Sequence, residues 1–190
     1  MRLQSILAPA LLGAGLVLLL AGCSASSPQV RHWTLPEPER LESTLPDDAP
    51  LVILARPGLP RYLARSALIV REGAEIRVLA GERWSEAPES ALQRALLLRL
   101  RTRQDRAAVL AWPAPRAGRT LDIRFSRLDG PRGGPLTVAA TLALDDAPPR
   151  TTQFRVPVAD DSIDALMAAH GLALDRLADE AAAYLEVSLP

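Results

Sequence analysis

The sequence predicts one domain in which helices pack against a mixed β-sheet. Three observations support this fold class. About seven short runs have the composition or the two-residue alternation of β-strands, and two pairs of them are joined by turns typical of hairpins. Two longer segments repeat apolar residues every three or four positions, as amphipathic helices do. No internal repeat divides the 190 residues, and the length that follows an N-terminal leader suits a single domain.

The first half of the chain predicts four strands. Residues 31–35 indicate a first strand with Trp33 and Leu35 on one face. Residues 51–55 form an apolar run bounded by prolines, which is typical of a strand buried on both faces in the middle of a sheet. The runs SALIVRE and EIRVLA are separated by a Gly-Ala pair at 73–74, so they predict a hairpin.

The first predicted helix follows this hairpin. Ser85 can cap it, and Pro88 falls in its first turn, where the missing amide proton costs nothing. Residues 108–112 then resemble another strand, which two prolines end. The apolar side of the helix consists of Ala91, Leu92, Ala95, Leu96 and either Leu98 or the aliphatic stem of Arg99.

The second half of the chain predicts a second hairpin and a further strand. Leu121, Ile123 and Phe125 alternate with polar residues, and the alternation resumes at 136–144 after the turn DGPRGG. The last strand covers residues 152–158, and its proline favours an edge or a strand end.

A long C-terminal helix ends the predicted fold. Asp161 can cap it, and Asp164 three residues later suggests a capping box. Gly171 predicts a bend or close packing in the middle of the helix. The apolar face comprises Ile163, Leu166, Met167, His170, Leu174, Leu177, Ala181 and Leu185.

The N-terminus predicts a lipid-anchored protein. Arg2 and the uncharged residues 6–22 are typical of a secretory signal, and an uncleaved membrane anchor with a buried free cysteine is the alternative. Leu20-Ala21-Gly22-Cys23 resembles the lipobox of bacterial lipoproteins, whose cysteine thiol receives a diacylglyceryl group before cleavage. We therefore expect a signal peptide at 1–22, diacylglycerol and an N-acyl chain such as palmitate on Cys23, a flexible tether at 23–30 and a domain at 31–190. No other cofactor is predicted.

The residue after the cysteine indicates whether the protein is anchored in the inner or the outer membrane. Two or three acyl chains hold a protein firmly to a bilayer. In lipoproteins of well-studied bacteria an aspartate at this position favours retention in the inner membrane, whereas this chain has Ser24. The expected location is the outer membrane.

The charge balance excludes some classes of function. The 22 basic and 22 acidic residues cancel, so the field of the whole molecule offers nucleic acid or an anionic bilayer little attraction. We interpret the main basic cluster as the solvated face and end of the first helix, with lipid headgroups or an acidic partner as the alternative. Its members are Arg94, Arg99, Arg101, Arg103 and Arg106.

The sequence lacks the patterns that catalysis or metal binding requires. His32 lies beside the tether, and His170 lies on the apolar side of the last helix, where a structural role is expected. No Gly-x-Ser-x-Gly is present, the single cysteine is assigned to lipidation, and the histidines have no ligand cluster near them. The aspartate pairs at 145–146 and 160–161 are expected to serve turns and caps. The glycine-rich turn lacks the lysine of a P-loop. We therefore predict no catalytic residue, no metal site and no enzyme.

The middle of the chain carries a distinctive block of residues. After the lipobox and a Trp-Thr-Leu, residues 59–96 combine a Leu-Pro-x-Tyr-Leu turn, an Ile-Val strand, a hairpin and an Arg-Trp pair before the first long helix. This block resembles the ABC-type transport auxiliary lipoproteins, the PqiC-like family. The matching positions are Leu59, Pro60, Tyr62, Leu63, Ile69, Val70, Arg83 and Trp84.

The resemblance implies a fold and a function. It implies a three-layer α/β/α-type fold and an outer-membrane lipoprotein that faces the periplasm. Its partners would be ABC transporter components and an MCE-domain protein, which together move phospholipid between the inner and outer membranes. The resemblance also implies self-association into ring-like oligomers, and it supplies no catalytic residues.

Alternatives remain open at two points. Leu59, Pro60, Tyr62, Leu63, Arg83 and Trp84 either contact the partner or serve core packing. The whole protein is either the transport component described above or an outer-membrane lipoprotein that binds a ligand or helps assemble another envelope complex. An enzyme acting on envelope lipids or glycans through His170 is the third hypothesis.

Overall fold

The computed structural model describes residues 29–38, 49–145 and 147–189. These residues form eight strands and two helices. The predicted signal peptide, the lipidation site Cys23, the tether up to residue 28 and the second residue of the 145–146 pair lie outside the described residues. Along the part of the chain that is described, no helix is both long and apolar enough to span a bilayer.

Three strands form a small sheet. They are β1 (Arg31–Trp33), β3 (Ala67–Glu72) and β4 (Glu75–Trp84), in the order β1-β4-β3. The hairpin of β3 and β4 is confirmed, and Gly73 takes a φ of +63° in its turn, a conformation that glycine adopts without strain. β4 continues four residues beyond the predicted run, and its last three residues pair in parallel with β1.

Five strands form the large sheet, in the order β5-β2-β6-β7-β8. β2 has a parallel neighbour on each side, which confirms its predicted place inside a sheet. The antiparallel hairpin of β6 and β7 is also confirmed, and β8 is an edge strand that ends before Pro157, as predicted. The strands are β2 (Leu51–Leu54), β5 (Ala108–Ala111), β6 (Arg119–Asp129), β7 (Leu136–Leu144) and β8 (Arg150–Val156).

Helix α1 (Pro88–Arg103) begins at its proline. Ala87 is its N-cap residue and makes no side-chain hydrogen bond to the helix, so the predicted cap at Ser85 is wrong. The fixed φ and the missing amide proton of Pro88 suit the first helical position. Ser85 instead donates its amide proton to the carbonyl oxygen of Trp33, 2.8 Å away, at the end of the small sheet.

Helix α2 (Ile163–Ser188) has a side-chain cap one residue later than predicted. The hydroxyl of Ser162 accepts a 3.1 Å hydrogen bond from the amide of Ala165. The predicted cap at Asp161 and the capping box with Asp164 are therefore wrong. Three consecutive cap-forming residues stand before this helix, and propensity alone does not choose among them.

The core lies between the helices and the large sheet. The two helices contact each other; α1 also contacts β5, and α2 contacts β7 and β8. Alternate residues of β6 such as Leu121 and Ile123 are fully buried, whereas Arg124 and Ser126 face solvent. The small sheet is attached through Leu68, which packs against the first turns of α2. The predicted class, a single domain of mixed α/β structure, is confirmed.

One member of the basic cluster is buried, contrary to the prediction of a solvated face. The Arg99 side chain is only 2% exposed. It donates hydrogen bonds to the carbonyl oxygens of Ala95 (3.1 Å) and Pro36 (3.0 Å) and to Oδ1 of Asp175 (3.1 Å). These acceptors replace water around the guanidinium, so its burial is tolerated. The other members are exposed or half-buried, namely Arg94, Arg101, Arg103 and Arg106.

The N-terminal segment contacts the small sheet, the main core and helix α2. Trp33 donates a 2.5 Å hydrogen bond to Glu82, and Leu35 is buried in the main core. Pro36 lies against Gly171, where a Cβ atom would come within 3.3 Å of the proline ring. The close packing expected at this glycine is therefore confirmed.

Candidate functional site

An apolar pocket lies where the loop after β2, the small sheet and the first turns of α1 meet. Leu59 and Leu63 come from the loop, Ile69 and Trp84 come from the small sheet, and the buried N-terminal residue Leu35 adds a further wall. Together with its mouth, which opens to solvent, the pocket has about 470 Å³ of space free of atoms. The cavity volume itself is only about 30 Å³, which is room for one or two waters.

Among the residues that the structure describes, His170 is the one polar residue that lines the pocket. Its residue exposure is 5%, and its Nδ1 atom lies 2.8 Å from the carbonyl oxygen of Leu166, one turn earlier in α2. The ring meets Trp84 edge to face, with centroids 5.8 Å apart and planes at 82°. Burial lowers the pKa of His170 below its ordinary value, and the bond to Leu166 opposes this shift only in part.

The geometry around His170 fits a structural histidine. Its proton-bearing nitrogen is directed to a backbone carbonyl and not to a serine, threonine or carboxylate. No group of three His, Cys, Asp or Glu side chains suited to a metal ion occurs in the ranges that the structure describes. The chemistry that this pocket offers is therefore apolar contact with one hydrogen-bonding nitrogen.

A buried carboxylate lies behind the loop. The hydroxyl of Tyr62 donates a 2.6 Å hydrogen bond to Oδ2 of Asp129, and Arg127 donates to Oδ1 at 2.6 Å. Arg71 Nε lies 3.2 Å from Oδ1, and the guanidinium carbon lies 5.0 Å from the centre of the Tyr62 ring. Burial raises the pKa of Tyr62, and the bond to Asp129 raises it further. The tyrosine of the middle block therefore connects the loop to the end of β6.

The structure brings three of the predicted partner-binding residues together. Leu59, Leu63 and Trp84 all line the pocket. The loop that carries the first two is shaped by Pro60, whose carbonyl accepts the amide protons of Leu63 (2.9 Å) and Ala64 (3.1 Å). The turn thus presents both leucines toward the small sheet.

Tyr62 and Arg83, like Pro60, are not among the residues that line the pocket. Tyr62 is engaged with Asp129, as described above. Arg83 is exposed and stands opposite Ala67 in the register of β3 and β4. Ala67 itself lines the pocket, so Arg83 is next to the site without forming its wall.

Several site residues were not identified from the sequence. Leu128 and Pro88 line the pocket from distant parts of the chain, and no local pattern links them. The sequence pattern places Asp129 in the turn DGPRGG, although its residue is 2% exposed and its carboxylate contacts two arginines and a tyrosine. An acidic residue at the end of an alternating strand was the only available signal.

The sequence was compared with known protein families. Residues 33–182 match the family model of the ABC-type transport auxiliary lipoprotein component. The chain belongs to this family. The resemblance seen in the middle block is therefore confirmed, and so is the coarse assignment to a lipoprotein family that serves ABC-type transport.

Two solved structures show the same fold. A crystal structure of an uncharacterized protein superposes with a TM-score of 0.70 at 14% identity, covering 83% of this chain and 99% of the other. A Xanthomonas campestris protein of the DUF330 family superposes with a TM-score of 0.65 at 19% identity, covering 82% of this chain and 94% of the other. At these identities the likeness establishes the fold alone. No curated protein matches the sequence.

Proposed function

We propose that this protein is a non-enzymatic, lipid-anchored component of an ABC/MCE-type system that moves phospholipid between membranes. It docks with a periplasmic MCE-domain partner of that system. The observation that carries the proposal is that Leu59, Leu63 and Trp84, three residues of the family's middle block, converge on one open apolar pocket. Membership of a family of transport auxiliary lipoproteins supplies the setting.

The anchor in this proposal is Cys23, with diacylglycerol on its sulfur and an acyl chain on its amino group. Residues 23–30 span roughly 25 Å when extended. From Arg31 onward the chain is tied to the domain by β1, by the burial of Leu35 and by the bond from Arg99 to Pro36. Such a tether keeps the domain close to the periplasmic face of the outer membrane, so the MCE partner has to reach toward it.

Docking at the pocket has a physical basis. Apolar side chains of a partner that enter the pocket leave water, which is the main favourable term in protein association. The exposed guanidinium of Arg83 beside the pocket offers a polar contact at the rim. Ring-like self-association is a further part of the proposal, and light scattering of the purified protein measures it.

Co-purification tests the proposal. Tagged protein is extracted from envelopes, and recovery of the MCE-domain protein is measured. Leu59→Glu places a charge at a half-buried position of the pocket and is expected to reduce recovery at least tenfold in a protein that still folds. Because Leu59 also packs against the core, a lower melting temperature is expected, and it is measured beside recovery. The matched control is Leu172→Glu, which changes an apolar residue of α2 that is 59% exposed, and we expect it to leave recovery unchanged.

Two outcomes contradict different parts of the proposal. If the wild-type protein recovers no MCE-domain partner under conditions that preserve other envelope complexes, the assignment to this transport system is abandoned. If the partner is recovered and Leu59→Glu retains it, docking occurs elsewhere on the surface. Cys23→Ser tests the anchor separately, since the variant should no longer fractionate with outer membranes.

A second candidate function uses the same pocket. A pocket with apolar walls and one imidazole also suits an outer-membrane lipoprotein that binds a ligand or helps assemble another envelope complex. Neighbouring genes for an ABC permease, an ATPase and an MCE protein favour the first function. Their absence, with a ligand recovered from the purified protein, favours the second.

A further inference from the structure

The pocket contains a hydrogen-bond acceptor that no described residue uses. Nδ1 of His170 lies 2.8 Å from the carbonyl oxygen of Leu166, and a carbonyl oxygen only accepts, so Nδ1 carries the proton. In the neutral imidazole Nε2 then has a free lone pair. Within the described ranges this atom has no hydrogen-bond partner, and His170 is one of the residues that line the pocket.

The surroundings of Nε2 define the chemistry of a ligand. The eleven other described residues that line the pocket are apolar or, in the case of Trp84, aromatic, so no charged side chain of the described ranges faces the imidazole there. An acyl chain would leave the acceptor unpaired, and a charged headgroup would lose its hydration without a counter-ion. The fitting ligand has an apolar body, no charge and one hydrogen-bond donor.

The size of the pocket limits which ligands can fit. The cavity volume of about 30 Å³ admits only the tip of a group, so the body of the ligand must lie in the part of the pocket that is open to solvent. A tyrosine side chain combines a flat apolar ring with a hydroxyl at its tip. We propose that the pocket receives a tyrosine of a partner polypeptide, whose hydroxyl donates to Nε2 of His170. The identity of that partner rests on the proposed function, whereas the pocket chemistry does not.

The protein has only two histidines, which makes a direct test practical. Protein purified from membranes is reconstituted in lipid nanodiscs with isotopically labelled histidine, and the two imidazoles are followed by NMR. The probes are p-cresol, which is the tyrosine side chain alone, and toluene and 4-methylanisole, which lack the donor. We expect p-cresol to shift Nε2 of His170 and not His32, and to bind about fivefold more tightly than either control probe at equal free concentration.

Variants separate the hydrogen bond from apolar contact. His170→Phe should bind all three probes alike, and the matched control His32→Phe should keep the fivefold preference. Equal binding of p-cresol and 4-methylanisole to the wild-type protein overturns the proposal, as does a preference that survives in His170→Phe. The comparison of probes needs no variant, so it stands even if His170→Phe fails to fold. Because no partner is present, a positive result here together with failed co-purification overturns only the transport assignment.

Discussion

The hydroxyl of Tyr62 donates a 2.6 Å hydrogen bond to Asp129, a carboxylate that is only 2% exposed. Two arginines approach the other oxygen of this carboxylate, Arg127 at 2.6 Å and Arg71 at 3.2 Å. The cluster joins the loop after β2 to the end of β6 and to β3. At Tyr62 the geometry therefore favours the core-packing interpretation of the middle block. Leu63, which is 8% exposed, is likewise part of the main core, whereas Leu59 and Trp84 are half-buried and line the pocket.

Tyr62→Phe should destabilise the fold by about 1.5 kcal/mol, because the variant removes one hydrogen bond from a buried charge and leaves the ring in place. The value is at the lower end of the range for charged partners, since Tyr62 is half-buried. Urea denaturation measures the change. The exposed Arg83→Ser should stay within about 0.5 kcal/mol of wild type. A Tyr62→Phe protein with wild-type stability and lost partner recovery would instead favour partner contact at Tyr62.

Arg99→Met should cost about 3 kcal/mol and loosen the N-terminal segment. The variant keeps most of the side-chain volume but removes the donors to Pro36, Ala95 and Asp175, so buried carbonyl oxygens lose their partner. Urea denaturation measures the loss of stability. The rate of amide hydrogen exchange over residues 31–37 measures how firmly the N-terminal segment is held. Arg106→Met, at an exposed position just after α1, is the control. If amide hydrogen exchange over residues 31–37 is unchanged in Arg99→Met, this arginine does not hold the N-terminal segment in place.

Ser162→Ala should destabilise the protein by about 1 kcal/mol, because the hydroxyl is the side-chain cap of α2. Asp161→Ala is the matched control one residue earlier, where the cap was predicted from the sequence, and it should change stability by less than about 0.5 kcal/mol. Thermal unfolding of the two variants measures both changes in stability. A larger loss in Asp161→Ala than in Ser162→Ala would restore the predicted cap.

The sequence predicted those parts of the fold that depend on near neighbours. The hairpin of β6 and β7 follows from alternation on both sides of one turn, and Pro88 is placed by its own backbone chemistry. The parallel pairing of Arg31 with Glu82 joins residues 51 positions apart, and nothing local encodes it. The division of the strands into two sheets was missed for the same reason.

The site was predicted only in part. Leu59, Leu63 and Trp84 were identified through the family resemblance, whereas the pocket between them also needs Leu35 and Leu128, which only the tertiary structure brings close. Burial of Arg99 could not be foreseen, because it requires the carbonyl oxygen of Pro36, which lies 63 positions away in the sequence and which no local pattern links to α1. His170 was correctly assigned to an apolar face, but its free Nε2 depends on the rotamer that directs Nδ1 to Leu166.

The stability of the protein should fall as the pH is lowered below about 6.5, and His170 is the cause. Burial lowers the pKa of His170 in the folded state, whereas the unfolded chain titrates near 6.5. Between these two values the unfolded state binds more protons, so stability decreases with falling pH by up to about 1.4 kcal/mol per unit and levels off below the folded-state pKa. Urea midpoints between pH 5 and 8 measure this slope. His170→Phe should flatten it, the exposed His32→Phe should retain it, and an unchanged slope in His170→Phe would assign it to other groups.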